Sequence, residues 1–90
     1  MYSKLRIMNL SENFIEDVQG LADQYIPNSK EIDLSNNNLV QFPKMHLSKL
    51  LWLNLSSNKI EELSNFEKSF VPKLRKLSIS DNKIEKIPEI

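Results

Sequence analysis

Apolar residues recur along the chain in a fixed figure. They occupy relative positions 1, 4, 6 and 11, with an asparagine at position 9. The third copy is the cleanest, Leu50, Leu53, Leu55, Asn58 and Ile60. The first copy is Leu5, Met8, Leu10, Asn13 and Ile15, and the fourth is Leu74, Leu77, Ile79, Asn82 and Ile84. The second holds Ile32, Leu34, Asn37 and Leu39, with Ser29 at the opening position. A figure repeated at this interval marks a chain of stacked, similar units, and it predicts repeats over about 5–28, 29–49, 50–73 and 74–90 within one domain, 1–90.

Within each copy the apolar residues at positions 4 and 6 are two apart, the alternation of a short strand with one face turned inward. After Ile15, the spacing of Val18, Leu21, Ala22 and Tyr25 is helical and predicts a connector of about two turns before Ile26-Pro27. Leu63, Phe66, Phe70, Val71 and Pro72 repeat that design after the third copy. There Ser64 and Glu67 form a capping-box pattern, which predicts a helix beginning near Asn65 and stopping before Pro72. The second connector, with Met45 and Leu47, is shorter and leaves less room for helix.

Strand, turn and return repeated in this way place the strands parallel and about 4.8 Å apart, so that the inward residues of one rung are covered by those of the next. Asparagine at position 9 follows the strand, where turning backbone lacks ladder partners. Its amide both donates and accepts, and the column Asn13, Asn37, Asn58 and Asn82 is therefore expected to satisfy backbone groups within and between rungs.

These residues, Leu53-Asn54-Leu55-Ser56-Ser57-Asn58-Lys59-Ile60 and its three siblings, resemble leucine-rich repeats over essentially the whole chain. The resemblance implies an α/β leucine-rich-repeat solenoid, with short parallel strands on the concave face and helical or 3-10 connectors on the convex face. It also implies a module that binds a protein partner on that concave face, and because no residue set offers nucleophile, base and anion stabiliser together, the module is expected to be non-enzymatic. Ser29, Met8 and an irregular period depart from the family pattern.

Positions 3 and 5 alternate with the inward residues and should face outward. Ile7, Glu31, Trp52 and Lys76 form the first column; Asp33 and Asn54 belong to the second, with Asn9 and Ser78. Trp52 is the lone tryptophan, and aromatic residues dominate binding hot spots. With neighbouring Leu51, which has no core position, the candidate partner-binding residues are Ile7, Glu31, Asp33, Leu51, Trp52, Asn54 and Lys76. Glu12, Glu31 and Asp33 on the early rungs against Arg75 and Lys76 on the fourth should polarise the face.

Composition narrows the chemistry. Ninety residues of zero net charge give no overall field to hold nucleic acid or an anionic membrane, and direct nucleic-acid binding is not expected. A chain of this size buries only about 60% of its unfolded surface, so its margin is thin. With no cysteine, and with His46 lacking a second ligand at metal spacing, no cofactor or metal is expected. The serines at position 7 have no base at fixed spacing, and the single glycine cannot build a phosphate loop, so no small-molecule substrate is expected either. Nothing near the start reads as a signal peptide or membrane span, which points to the cytoplasm or nucleus. Neither end shows a polar cap, with Ile87 and Ile90 at the far edge, and this points to a longer solenoid, self-association or a larger assembly. The alternative function is accordingly a small structural subunit of a large complex, such as a ribonucleoprotein, held through its ends, edges or convex face.

Overall fold

The computed structural model describes residues 2–63 and 66–85. Four three-residue strands, β1 (Ile7–Asn9), β2 (Glu31–Asp33), β3 (Trp52–Asn54) and β4 (Lys76–Ser78), form one parallel sheet in chain order. Ile7 stands beside Glu31, Glu31 beside Trp52, and Trp52 beside Lys76, offsets of 24, 21 and 24 residues. The spacing of the repeated figure is thus the register of the sheet.

Side chains at positions 4 and 6 turn inward, as alternation along a strand requires. Ile32, Leu34, Leu53 and Leu55 are wholly buried. Beneath them lie Leu39, Phe42, Leu47, Leu50, Ile60 and Val71, with the Phe42 and Phe66 rings edge to face at 5.3 Å. In the outer rungs the equivalent residues Met8, Leu10, Leu77 and Ile79 are only partly buried. The inequality is geometric, since only a middle rung has a neighbour on each side.

Ser29, in the place of a leucine, is 1% exposed, and its hydroxyl finds no hydrogen-bond partner among the described residues. A buried orphan hydroxyl opposes folding by about 1–3 kcal/mol. Ser29→Ala removes it at little cost in volume and is expected to stabilise the chain by about 1 kcal/mol, raising the melting temperature by roughly 4–8 °C. A lower melting temperature for this variant would show that the hydroxyl is satisfied.

The connectors differ from expectation. No α-helix occurs among the described residues, and the helix expected after Ile15 is absent. Gly20 has φ +82°, outside the right-handed helical region, and so interrupts the stretch. The backbone that follows is bonded sideways: Ala22 forms a parallel bridge with His46, with His46 N donating to Leu21 O and Asp23 N to His46 O. Partners on the next rung replace those a helix of two turns would supply, and so short a helix has little stability of its own. Leu21 and Ile26 are still buried, along an irregular path closed by one turn in which Ile26 N donates to Ala22 O.

The third connector contains a single 3-10 turn, Lys68–Phe70. Glu67 precedes it in extended conformation and makes no side-chain capping bond, so it stands outside the helix rather than within its first turn. Ser64 and Asn65 lie outside the described residues. Val71 ends the turn before Pro72, and Val71 and Ile26 fill equivalent buried places.

Candidate functional site

Each strand leaves the sheet through the same tight bend. The residues at position 8, Glu12, Asn36, Ser57 and Asp81, have φ of 57°, 56°, 58° and 54°. None is glycine, so each accepts left-handed backbone, at about 1–2 kcal/mol for an ordinary residue and less for Asn or Asp. The bend keeps the ladder running between rungs: Glu12 N donates to Ser35 O, Asn36 N to Ser56 O and Ser57 N to Ser80 O, all at 2.9–3.0 Å.

The bend is held from two sides. At position 5, the Oδ1 atoms of Asn9, Asp33 and Asn54 accept the amide protons of Ser11, Ser35 and Ser56. At position 9, the asparagine reaches across to the preceding rung. Asn58 Nδ2 donates to Leu34 O at 2.9 Å, and also to Leu55 O and Ser56 O on its own rung, while its Oδ1 accepts Leu39 N at 3.1 Å. Asn37 does the same with Leu10 O and Ile15 N, and Asn82 with Leu55 O and Ile60 N. Asn13, on the first rung, donates only to Leu10 O and Ser11 O.

These bonds divide the candidate partner-binding residues into three groups. Asp33 and Asn54 are half-buried, and the Oδ1 of each is held in its bend by a backbone amide. Ile7, Glu31, Trp52 and Lys76 stand side by side across all four strands on the open face. Ile7 is 63% exposed; Trp52 is half-buried with its Nε1 sealed away from solvent and without an acceptor among the described residues. The part of the indole that remains exposed therefore excludes its N–H.

Leu51 does not join this row. It precedes β3 and lines a separate hollow of about 720 Å³ at the edge where the strands begin, together with Arg6, Lys30, Lys49, Lys73 and Arg75. A second charge pattern lies apart from the expected contrast between acidic early rungs and a basic fourth rung. Cations from all four rungs gather at the edge where the strands begin.

The smaller signals stay separate. His46 is exposed, with its ring against Phe70 at 5.3 Å. Among the described residues, no three of His, Asp or Glu are grouped as a metal would need, and no helix is long and apolar enough to cross a membrane. Ser56 Oγ accepts from Ser80 Oγ at 3.1 Å, linking two serines of the position 7 column to each other. Ile87 and Ile90 lie outside the described residues.

The family described as Leucine rich repeat matches residues 3–60, and that described as Leucine Rich repeats (2 copies) matches residues 48–90. The chain belongs to the leucine-rich-repeat family. Domains of this family generally mediate protein–protein interaction and are typically non-enzymatic. No curated protein and no solved structure matches the chain.

Proposed function

We propose that the protein is a non-enzymatic interaction module that binds a protein partner on the open face of its sheet, the concave side of a short solenoid. The observation that carries this reading is the row Ile7, Glu31, Trp52 and Lys76, one residue from each strand, in register. Three strand spacings make the row about 14 Å wide, the reach of one partner element. An exposed isoleucine and half-exposed indole carbon supply apolar contact, with a carboxylate and an ammonium on alternate strands to orient what binds. Asp33 and Asn54 support this row by fixing the bends at its rim.

Trp52→Ala is expected to abolish retention of the partner from native extract on the immobilised chain, while the chain stays folded with a melting temperature lower by roughly 4–8 °C, for about 1 kcal/mol of half-buried indole removed, and Trp52→Phe keeps most of the binding. Undiminished capture by Trp52→Ala would remove the sheet face from consideration.

A second reading, a structural subunit of a larger complex, draws on the first rung. Leu5, Met8, Leu10 and Ile15 are only partly buried there, and Phe14 is 88% exposed. Loss of the partner with Phe14→Ser but not with Trp52→Ala would favour it.

A further inference from the structure

The hollow at the strand-beginning edge is built by two columns that flank the opening residue of each rung, buried in the middle rungs and partly buried in the outer ones. Immediately before that residue stand Lys4, Asn28, Lys49 and Lys73; immediately after it stand Arg6, Lys30, Leu51 and Arg75. Lys4, Asn28, Lys49 and Lys73 lie in the turn that opens each rung, and Arg6, Lys30, Leu51 and Arg75 directly precede the strands, so both columns emerge along the edge where the strands begin. Stacking in register then brings Arg6, Lys30, Lys49, Lys73 and Arg75 around a single concavity of about 720 Å³, and no carboxylate among the described residues lines it. The net charge of zero conceals this separation. A second hollow, of about 540 Å³, is walled instead by Glu16 and Asp17, with Lys44 the one cation among the described residues that line it.

The basic edge is organised rather than diffuse. Asn28 Nδ2 donates to Ser3 O, and Asn28 Oδ1 accepts Lys49 Nζ at 2.8 Å, which fixes one ammonium at the wall. Lys68 Nζ lies on Leu74 O at 3.0 Å, adding a sixth cation against a lining residue. The backbone below is already paired, Arg6 O accepting Lys30 N and Glu31 N, and Lys30 O accepting Leu51 N and Trp52 N. What the groove offers is therefore side-chain charge over an apolar floor of Leu51, Pro72 and Leu74.

We propose that this groove docks an acidic peptide segment of a partner protein, carrying an apolar side chain that rests on Leu51 and Leu74. The surface is distinct from the tryptophan row and does not depend on it. Three strand spacings, about 14 Å, accommodate roughly four or five extended residues, enough for several carboxylates to meet cations on different rungs. Single-stranded nucleic acid would also meet the charge, but its sites combine cations with aromatic platforms for the bases. No aromatic residue lines this groove, and its floor is aliphatic.

The test is fluorescence anisotropy with the full chain and a labelled synthetic peptide of about ten residues, Glu and Asp around a central Leu-Leu pair. Saturable binding is expected, weakening at least about tenfold between roughly 50 and 300 mM salt. Lys30→Glu with Arg75→Glu should weaken it at least about tenfold, as should the independent pair Lys49→Glu with Lys73→Glu, with folding of each verified by circular dichroism. Trp52→Ala should leave it unchanged, which separates failure here from failure of the sheet-face reading. The proposal is overturned if the peptide does not saturate, or if both folded charge-reversal pairs bind like wild type. Tighter binding of an oligouridylate of equal charge would replace the peptide by RNA. Concentration-dependent dimers abolished by the same reversals would replace it by a second copy of the chain.

Discussion

Asn58→Asp is expected to destabilise the fold by about 3–5 kcal/mol, and by more than Asn58→Ala. The wild-type Nδ2 faces three carbonyl oxygens, those of Leu34, Leu55 and Ser56, and a carboxylate oxygen in its place would meet them without a proton to share. In Asn58→Ala the loss is different in kind. Leu34 O keeps Asn37 Nδ2, Leu55 O keeps Asn82 Nδ2, and Ser56 O keeps Asn36 N. The group left alone is Leu39 N, whose acceptor is Asn58 Oδ1. One orphaned amide plus the weakened carbonyls amounts to about 2–3 kcal/mol. Asn13→Ala, on an exposed residue bonded only within its own rung, should cost less than about 1 kcal/mol. Urea denaturation of the three variants checks the order, and equal midpoints for Asn58→Ala and Asn13→Ala would show that reaching the preceding rung contributes nothing.

Leu53→Ala has the other large expected effect. Leu53 is fully buried at the centre of β3, between Ile32 on one side and Leu77 on the other. Truncation there opens a cavity shared by three rungs, at about 3–5 kcal/mol, against roughly 5–13 kcal/mol available to a chain of this length. The variant should have lost most of its cooperative transition by mild denaturant. Leu77→Ala removes the same atoms from the same position of a rung covered on one side, where the side chain is already partly exposed, and should cost about 1–2 kcal/mol. Near-equal costs in the two variants would mean that the outer rungs are as well packed as the middle ones.

The contrast between these positions shows what could be read from residues alone. Position 4 is inward in every copy because alternation along a strand is a property of the backbone, so Met8, Ile32, Leu53 and Leu77 were identifiable before any coordinates. The register followed for the same reason: copies that stack must place like beside like. The connector after Ile15 was not legible, because Val18, Leu21, Ala22 and Tyr25 fit helical spacing while the backbone bonds that displace the helix come from His46, on another rung. The bends were hidden too. Glu12 and Ser57 carry no mark of left-handed backbone in a chain whose one glycine lies elsewhere, and the back-bonding of Asp33 and Asn54 depends on that bend.

The candidate site divides along the same line. The row containing Trp52 follows from counting in twos along single strands. The basic edge needed both counting and stacking, since Asn28 interrupts the column of Lys49 and Lys73 and Leu51 interrupts that of Arg6, Lys30 and Arg75, and neither column is conspicuous until the rungs lie together. A cue was present in the alternation of Lys4 with Arg6, Asn28 with Lys30, and Lys73 with Arg75 around each opening residue.

The cross-rung asparagine bonds also have a direction. Each Oδ1 shelters an N–H of the rung behind it, Asn37 that of Ile15, Asn58 that of Leu39 and Asn82 that of Ile60. In deuterium exchange, those three amides would therefore act as displaced sentinels: a fraying event in one coil would first be recorded as faster labelling in its predecessor, and a map drawn residue by residue would locate the opening one coil too early.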